Sequence, residues 1–178
     1  MVPGLSYGCP GGGGARGGRP RARSVTRAPR IRAATAADLP SVLALLRAVD
    51  LPVDGIGAPL TGFVVADRDG QVVGVAGLEA YGPAGLLRSV AVRPDGRGGG
   101  TGRRLVERVL VDARASGMRD VYLLTTTAAD YFPRLGFRPI PRSAVPPAVQ
   151  GSVEFREACP ASAVAMHRAV RDLPVPGR

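Results

Sequence analysis

The chain has no tryptophan, and phenylalanine and tyrosine together make up only 4% of its 178 residues, so aliphatic side chains must fill any core. It has only two cysteines, Cys9 and Cys159, lying far apart in sequence, which implies no disulfide framework. Lysine is absent. Apart from His167, every basic residue is arginine, a bias spread along the whole chain and consistent with GC-rich coding sequence. Neither a lipophilic signal core nor an apolar stretch long enough to span a membrane appears, which points to a cytoplasmic protein with no membrane partner. No internal repeat is visible, and no ligand set for a metal is expected. What is present is 45% hydrophobic sequence, enough at this length for one sizeable core and hardly for two.

The formal charge of +10 suggests nucleic acid, but its distribution argues against that partner. Arg16, Arg19, Arg21, Arg23, Arg27 and Arg30 lie in a leading segment without a single acid, and removing those six leaves +4 for residues 31–178. Residues 1–30 are rich in glycine, proline and arginine and have no apolar periodicity, so they read as a disordered tail, functional or the product of a misassigned start. The tail contains a formal G-x-G-x-x-G at Gly12, Gly14 and Gly17, with no strand before it or helix after it to give that spacing meaning. Only Tyr7 offers a ring for stacking on a base.

Residues 31–178 read as alternating strands and helices. Ile31 to Ala34 is a first strand. Thr35 is an N-cap with Asp38 three residues on, and Leu39, Val42, Leu43, Leu45 and Leu46 recur at helical spacing to about Val49. Phe63–Ala66 and Val72–Leu78 flank Asp67-Arg68-Asp69-Gly70, a hairpin signal. After the buried run Leu86–Val92, a helix buries Leu105, Val106, Val109, Leu110 and Ala113 and stops near Gly117. Val121 to Thr126 is again a strand, so the pair predicts a βαβ crossover with parallel strands. A short helix over Tyr131–Leu135 should end at Gly136. Phe137–Ile140 and Ser162–Val170 should supply closing strands. The connection between them is long enough to require partial helix, expected over Ala148–Glu157.

The most informative segment is Leu86 to Arg104. Pro94 ends its strand because proline has no amide for the ladder. Arg97, Gly98, Gly99, Gly100, Thr101, Gly102 and Arg103 then present backbone amides at the start of a helix, where unsatisfied donors and the macrodipole favour an anion. The loop lacks the lysine and spacing of a Walker P-loop, and glycine alone often marks only a turn. Its pattern is arginine, two residues, glycine, one residue, glycine, directly after Val-Ala-Val-x-Pro. That pattern, with Leu135-Gly136-Phe137 further on, resembles the GNAT family of N-acetyltransferases. The resemblance implies an α/β (α+β) fold whose mixed, mostly antiparallel sheet is flanked by helices, with splayed central strands and acetyl-CoA as cosubstrate in the gap. It also implies that the amides of Val90, Ala91 and Val92 meet the acetyl and pantetheine portion while Arg97 to Arg103 wrap the pyrophosphate. Such folds are often homodimers, though nothing in the sequence specifies an interface.

Catalytic groups are less plain. Many relatives carry a thiolate-protonating tyrosine four residues before the glycine equivalent to Gly136; here that residue is Phe132, leaving Tyr131 as candidate acid or simply as a packed ring with a wet hydroxyl. Glu79, at the end of the strand preceding the Leu86 run, is the candidate base or an exposed strand-end acid. His167 reads as structural. Where relatives place a carboxylate after the long helix this chain has Thr125, which with Thr126 can orient a substrate but cannot take its proton. Arg88 is the candidate substrate-binding residue. By the period of two it shares a face with Leu86, Val90 and Val92, and an arginine in such a strand must meet an anion, either an acceptor carboxylate or a partner such as Glu79.

Gly77-Leu78-Glu79, Leu87–Val92, Leu123–Thr127 and Glu157–Ala163 are similar to the arsenic-resistance branch of the family, associated with arsinothricin or phosphinothricin as acceptor. Leu124-Thr125-Thr126 is similar to N-acetylglutamate synthase domains. Both imply acetylation of a small acidic amino-acid-like molecule. Two other readings stay open: acetylation of a protein N-terminus or basic antibiotic, and a module that binds acetyl-CoA without catalysis.

Overall fold

The computed structural model describes residues 27–170. The expected tail and its glycine motif lie outside the described residues up to residue 26. Its boundary at residue 30 needs correction, because strand β1 (Arg30–Ala33) starts one residue earlier than expected. Pro29 is also part of the fold, its carbonyl accepting a hydrogen bond from Arg104 Nη1 at 2.9 Å. Thr35 and Asp38 form the expected capping box, the Asp38 carboxylate taking the Thr35 amide at 2.7 Å. A single 3-10 turn then leads into helix α1 (Leu39–Ala48).

Strands β2 (Phe63–Arg68) and β3 (Gln71–Tyr81) are the expected hairpin, longer than the apolar runs alone suggested. Its turn narrows to Asp69 (φ 52°) and Gly70 (φ 81°), two successive left-handed residues whose twist suits antiparallel strands. Strand β4 (Ala84–Val92), helix α2 (Thr101–Ala115) and strand β5 (Asp120–Thr125) make the predicted parallel crossover. The Phe132–Leu135 segment forms a 3-10 turn closed by Gly136 in the left-handed region. Beyond it lie β6 (Arg138–Ile140), α3 (Pro147–Gln150) and β7 (Val164–Ala169). The helix expected over Ala148–Glu157 is instead two pieces, the four-residue α3 and one π turn at Glu154–Ala158.

The seven strands follow the order β1-β2-β3-β4-β5-β7-β6, with β4 and β5 the one parallel pair among the described residues. That pairing covers only Ala84↔Asp120, Gly85↔Val121 and Leu86↔Tyr122, after which the two strands diverge. The expected splayed sheet is therefore present. On one face α2 buries Leu105, Val106, Val109 and Leu110 against Val64, Leu87 and Leu123. Each leucine so buried contributes about 1.5–3 kcal/mol. On the other face α1 packs over β2 and β3, and α3 with the π turn covers Leu86 and Tyr122.

One expectation about β4 fails. Arg88 does not share a face with Val90 and Val92. The register of β3 on β4 slips between Val75 and Gly77, and Ser89 sits at φ 55°, so β4 carries a bulge that shifts its alternation by one. Leu86 belongs to the cluster under α3. Val90 and Val92 pack on the α2 side instead.

Candidate active site

The divergence of β4 from β5 opens a cavity of about 860 Å³. Its walls are Leu87–Val92 on one side and Leu123–Ala128 on the other. One end is formed by Gly96–Gly98 and Gly100–Arg103, the other by Asp50–Pro52, Glu154 and Ala158–Pro160. The first end fits a phosphate-bearing ligand. Gly100 is the N-cap of α2, at φ 73° and without a capping side chain. Among the described residues no acceptor is found for the amides of Gly98 to Arg103; backbone bonding resumes with Arg104 N–H on the Gly100 carbonyl at 3.0 Å. Open space surrounds Gly98, Gly99 and Gly100, where an added Cβ would meet nothing within 4 Å. Free donors and a helix N-terminus thus meet at one end of the cavity, whose lining also includes Arg97, Arg103 and Arg134; the Arg103 guanidinium is paired with Glu107 at 2.6 Å.

Val90, Ala91 and Val92, expected on the cleft, do line it. Their strand segment follows the bulge and pairs with β3 only at Ala91 and Val92. Ser89, which the sequence did not single out, also lines the cavity, and its buried hydroxyl has no hydrogen-bond partner among the described residues. Thr125 is buried and its Oγ1 accepts the Ala128 amide at 3.0 Å, closing the turn after β5. Thr126 is exposed on the same wall.

Tyr131 and Phe132 both border the cavity, and Phe132 also packs into the core. The Phe132 ring packs edge-on between Tyr131 and Phe137, with centroids 5.3 and 5.7 Å away. A Cβ added to Gly102 would lie 2.9 Å from the Tyr131 hydroxyl, so this phenol reaches the first turn of α2. Burial raises its pKa above the usual phenol value, keeping the proton on oxygen.

Arg88 is the most confined charge in the site, its side chain 1% exposed. Nη1 donates to Glu79 Oε1 at 2.5 Å, Nη2 donates to the Asp54 carbonyl at 2.7 Å, and Nε stands 2.9 Å from Glu154 Oε1. The last contact is an ion pair without hydrogen-bond alignment, for among the described residues Nε has no hydrogen-bond acceptor. Glu79 also accepts from the Tyr81 hydroxyl at 2.7 Å. Glu79, the candidate base, stands outside the cavity lining, and Glu154 takes the wall position. Sequence reasoning missed Glu154. The available signal was an acid between Val153 and Phe155 in a segment predicted to be helical. His167 pairs with Asp120, Nε2 to Oδ1 at 2.7 Å, and stacks on Tyr122, away from the cavity.

Residues 59–139 match the acetyltransferase (GNAT) domain. The amino-acid acetyltransferase of Azotobacter vinelandii is 42% identical over 79 residues, which cover 43% of this chain and 18% of that enzyme. The Pseudomonas fluorescens amino-acid acetyltransferase is 40% identical over the same length. The chain thus spans under a fifth of the length of the curated relatives it matches. Among solved structures, Rv2747 from Mycobacterium tuberculosis, in complex with CoA, superposes with TM-score 0.68 at 25% identity over 79% of this chain and 99% of its own. N-acetylglutamate synthase from Neisseria gonorrhoeae, complexed with coenzyme A and L-arginine, has the same fold at TM-score 0.68 and 24% identity, over 80% of this chain and 33% of its own.

The match to the acetyltransferase (GNAT) domain thus covers under half of the chain. The chain's relatives include enzymes named for acetylating amino acids. Among the described residues no helix is long and apolar enough to cross a membrane, and no cluster of His, Cys, Asp and Glu could hold a metal ion.

Proposed function

We propose that this chain is an acetyl-CoA-dependent N-acetyltransferase whose acceptor is the amino group of a small, acidic amino-acid-like molecule. The observation that carries the reading is one continuous cavity between β4 and β5. It joins an uncapped, glycine-rich helix N-terminus at one end to Arg88 and Glu154 at the other. Acetyl-CoA supplies the activated acetyl group. Gly98 to Arg103 hold its pyrophosphate through backbone amides, and the amides of the Val90–Val92 segment hold the acetyl carbonyl, where fixed donors stabilise a developing oxyanion. Tyr131 is the candidate donor to the leaving sulfur, since its phenol is protonated and lies on the cavity wall. Thr125 and Thr126 border the acceptor's path.

Arg88 supports an acidic acceptor. Its fork has five N–H groups, of which one on Nη1 and one on Nη2 donate to protein oxygens while Nε lies beside Glu154 without alignment, so a second N–H on each terminal nitrogen is left for an incoming carboxylate or phosphinate. A second reading is favoured by the same cluster: two carboxylates around one guanidinium leave the wall net negative, which suits a basic acceptor or a peptide N-terminus. A thiol-release assay with acetyl-CoA separates them. Glutamate, phosphinothricin and arsinothricin form one arm, lysine and a short peptide the other. Turnover confined to the first arm is expected; turnover confined to the second refutes the acidic acceptor, and none in either refutes the enzyme.

A further inference from the structure

Glu154 is a buried carboxylate with too few donors. Its side chain is 9% exposed and borders the cavity. Among the described residues Oε2 accepts only the weak Cys159 S–H, at 3.0 Å. Oε1 faces Arg88 Nε at 2.9 Å without hydrogen-bond alignment. A carboxylate so deeply buried ordinarily collects several well-aligned donors, because its desolvation is otherwise uncompensated. Glu79, the other acid on Arg88, has both the guanidinium and the Tyr81 hydroxyl and is 27% exposed. Charge count agrees with the hydrogen-bond count. Glu79 already neutralises Arg88, so Glu154 brings one further negative charge to the wall of the cavity.

We propose that Glu154 binds the amino group of the acceptor, a primary ammonium supplying the aligned donors and the positive charge that the carboxylate lacks. The assignment rests on the acetyltransferase reading and adds to it the residue that reads the reacting end of the substrate. It explains why the connection between β6 and β7 folds back as α3 and a π turn: that path carries Glu154 to the cavity wall opposite the glycine loop. It also distinguishes the two acids around Arg88. Glu79 positions the guanidinium from outside the cavity, and Glu154 touches the ligand. Cys159 then serves as a donor that orients Oε2, its thiol kept protonated by burial and by the adjacent carboxylate.

The test uses the full chain with glutamate as acceptor and glutarate, which lacks the amino group, as competitive inhibitor. If thiol release occurs only with another amino acid, that amino acid and its deaminated form replace the pair. Glu154→Gln keeps the shape and removes the charge. Losing a charged hydrogen bond should raise the acceptor KM roughly 10- to 150-fold. The KM for acetyl-CoA and the inhibition constant of glutarate should stay within about twofold. Glu154→Asp, which keeps the charge but shortens its reach, should fall between, and it carries the test if the glutamine variant melts below the assay temperature. An unchanged acceptor KM in both variants overturns the assignment, as does an equal loss for glutamate and glutarate. Absence of thiol release by the wild type with any amino acid overturns the functional reading and this assignment with it.

Discussion

Removing Arg88 should cost stability before it costs anything else. Arg88→Ala leaves Glu154 buried without the guanidinium it pairs with, and leaves the Asp54 carbonyl without the donor it has now. Breaking a buried ion pair by deleting one partner costs about 3–5 kcal/mol. Glu79 adds little to that sum, since at 27% exposure its carboxylate can turn to water. For a domain of this size each kcal/mol moves the melting temperature by roughly 2–4 °C, so a fall of about 6–20 °C is expected. The assay is thermal unfolding followed by circular dichroism near pH 7.5. The cause is isolated by a second substitution: Glu154→Gln in the Arg88→Ala background removes the stranded charge and should recover more than half of the loss. Adding Glu79→Gln instead should recover little. A melting point within about 2 °C of the wild type for Arg88→Ala would refute the buried-pair reasoning, and equal recovery by the two glutamine substitutions would refute the distinction between the acids. The experiment also sets a condition on kinetics, because weak acceptor binding by Arg88→Ala means nothing unless the protein is folded.

Gly100 occupies the left-handed region with open space around it, so alanine there adds backbone strain of about 1–2 kcal/mol and no clash. Gly100→Ala should therefore lower the unfolding free energy measured in urea by about 1–2 kcal/mol, whereas Gly99→Ala, equally open but not at positive φ, should stay near wild type; equal losses would refute the strain argument. Asp38 accepts hydrogen bonds from Arg32 and Thr35, and Arg32 above all holds its carboxyl well below the usual range. Its contribution, on the order of 2 kcal/mol, is present above the unfolded pKa of about 3.9 and is lost as pH falls through the lower folded value. Urea midpoints measured from pH 7 down to 3 should drop less steeply for Asp38→Asn than for the wild type, and parallel curves would exclude the linkage. Burial first, and then the Glu154 hydrogen bond, push the Cys159 thiol up to about 12, so at pH 7.5 iodoacetamide should label it about three orders of magnitude more slowly than a free cysteine. Peptide mapping distinguishes Cys159 from Cys9, and rapid labelling of Cys159 would contradict the buried thiol.

Much of the fold was legible because local chemistry and tertiary packing agree along these stretches. Asp69-Gly70 supplies the two left-handed residues the hairpin requires, and the 3.6-residue recurrence from Leu105 to Ala113 matches the face that α2 buries. Gly136 closes its turn at φ 79°, as a glycine after a short helical segment predicts. The connection to β7 was less legible because its apolar residues serve a curved path over Leu86 and Tyr122, not one helical face. Val149 and Phe155 reach the same cluster from separate turns, so no single period describes them.

The site was legible at its glycine end and misread at its acceptor end, and one residue accounts for the difference. Nothing in Leu-Leu-Arg-Ser-Val-Ala-Val announces that Ser89 adopts φ 55°, because the left-handed region disfavours any side chain and serine has no special claim to it. That one torsion shifts the alternation, so Arg88 points with Leu86 toward the α3 side while Val90 and Val92 point toward α2. A regular strand would have set the guanidinium among Val90 and Val92, facing a substrate carboxylate with no protein partner. The bulge instead delivers it to Glu79, Asp54 and Glu154, three segments far apart in sequence. The same bulge interrupts the pairing of β4 with β3, placing the Ser89 hydroxyl in the cavity wall without an acceptor. A strained residue and an unpaired buried hydroxyl at one position are each unfavourable by about 1–3 kcal/mol, and both lie where the proposed reaction would occur. The strain is therefore consistent with a wall shaped for a bound ligand, with the bulge setting both the acceptor-end charges and the donors beside the thioester.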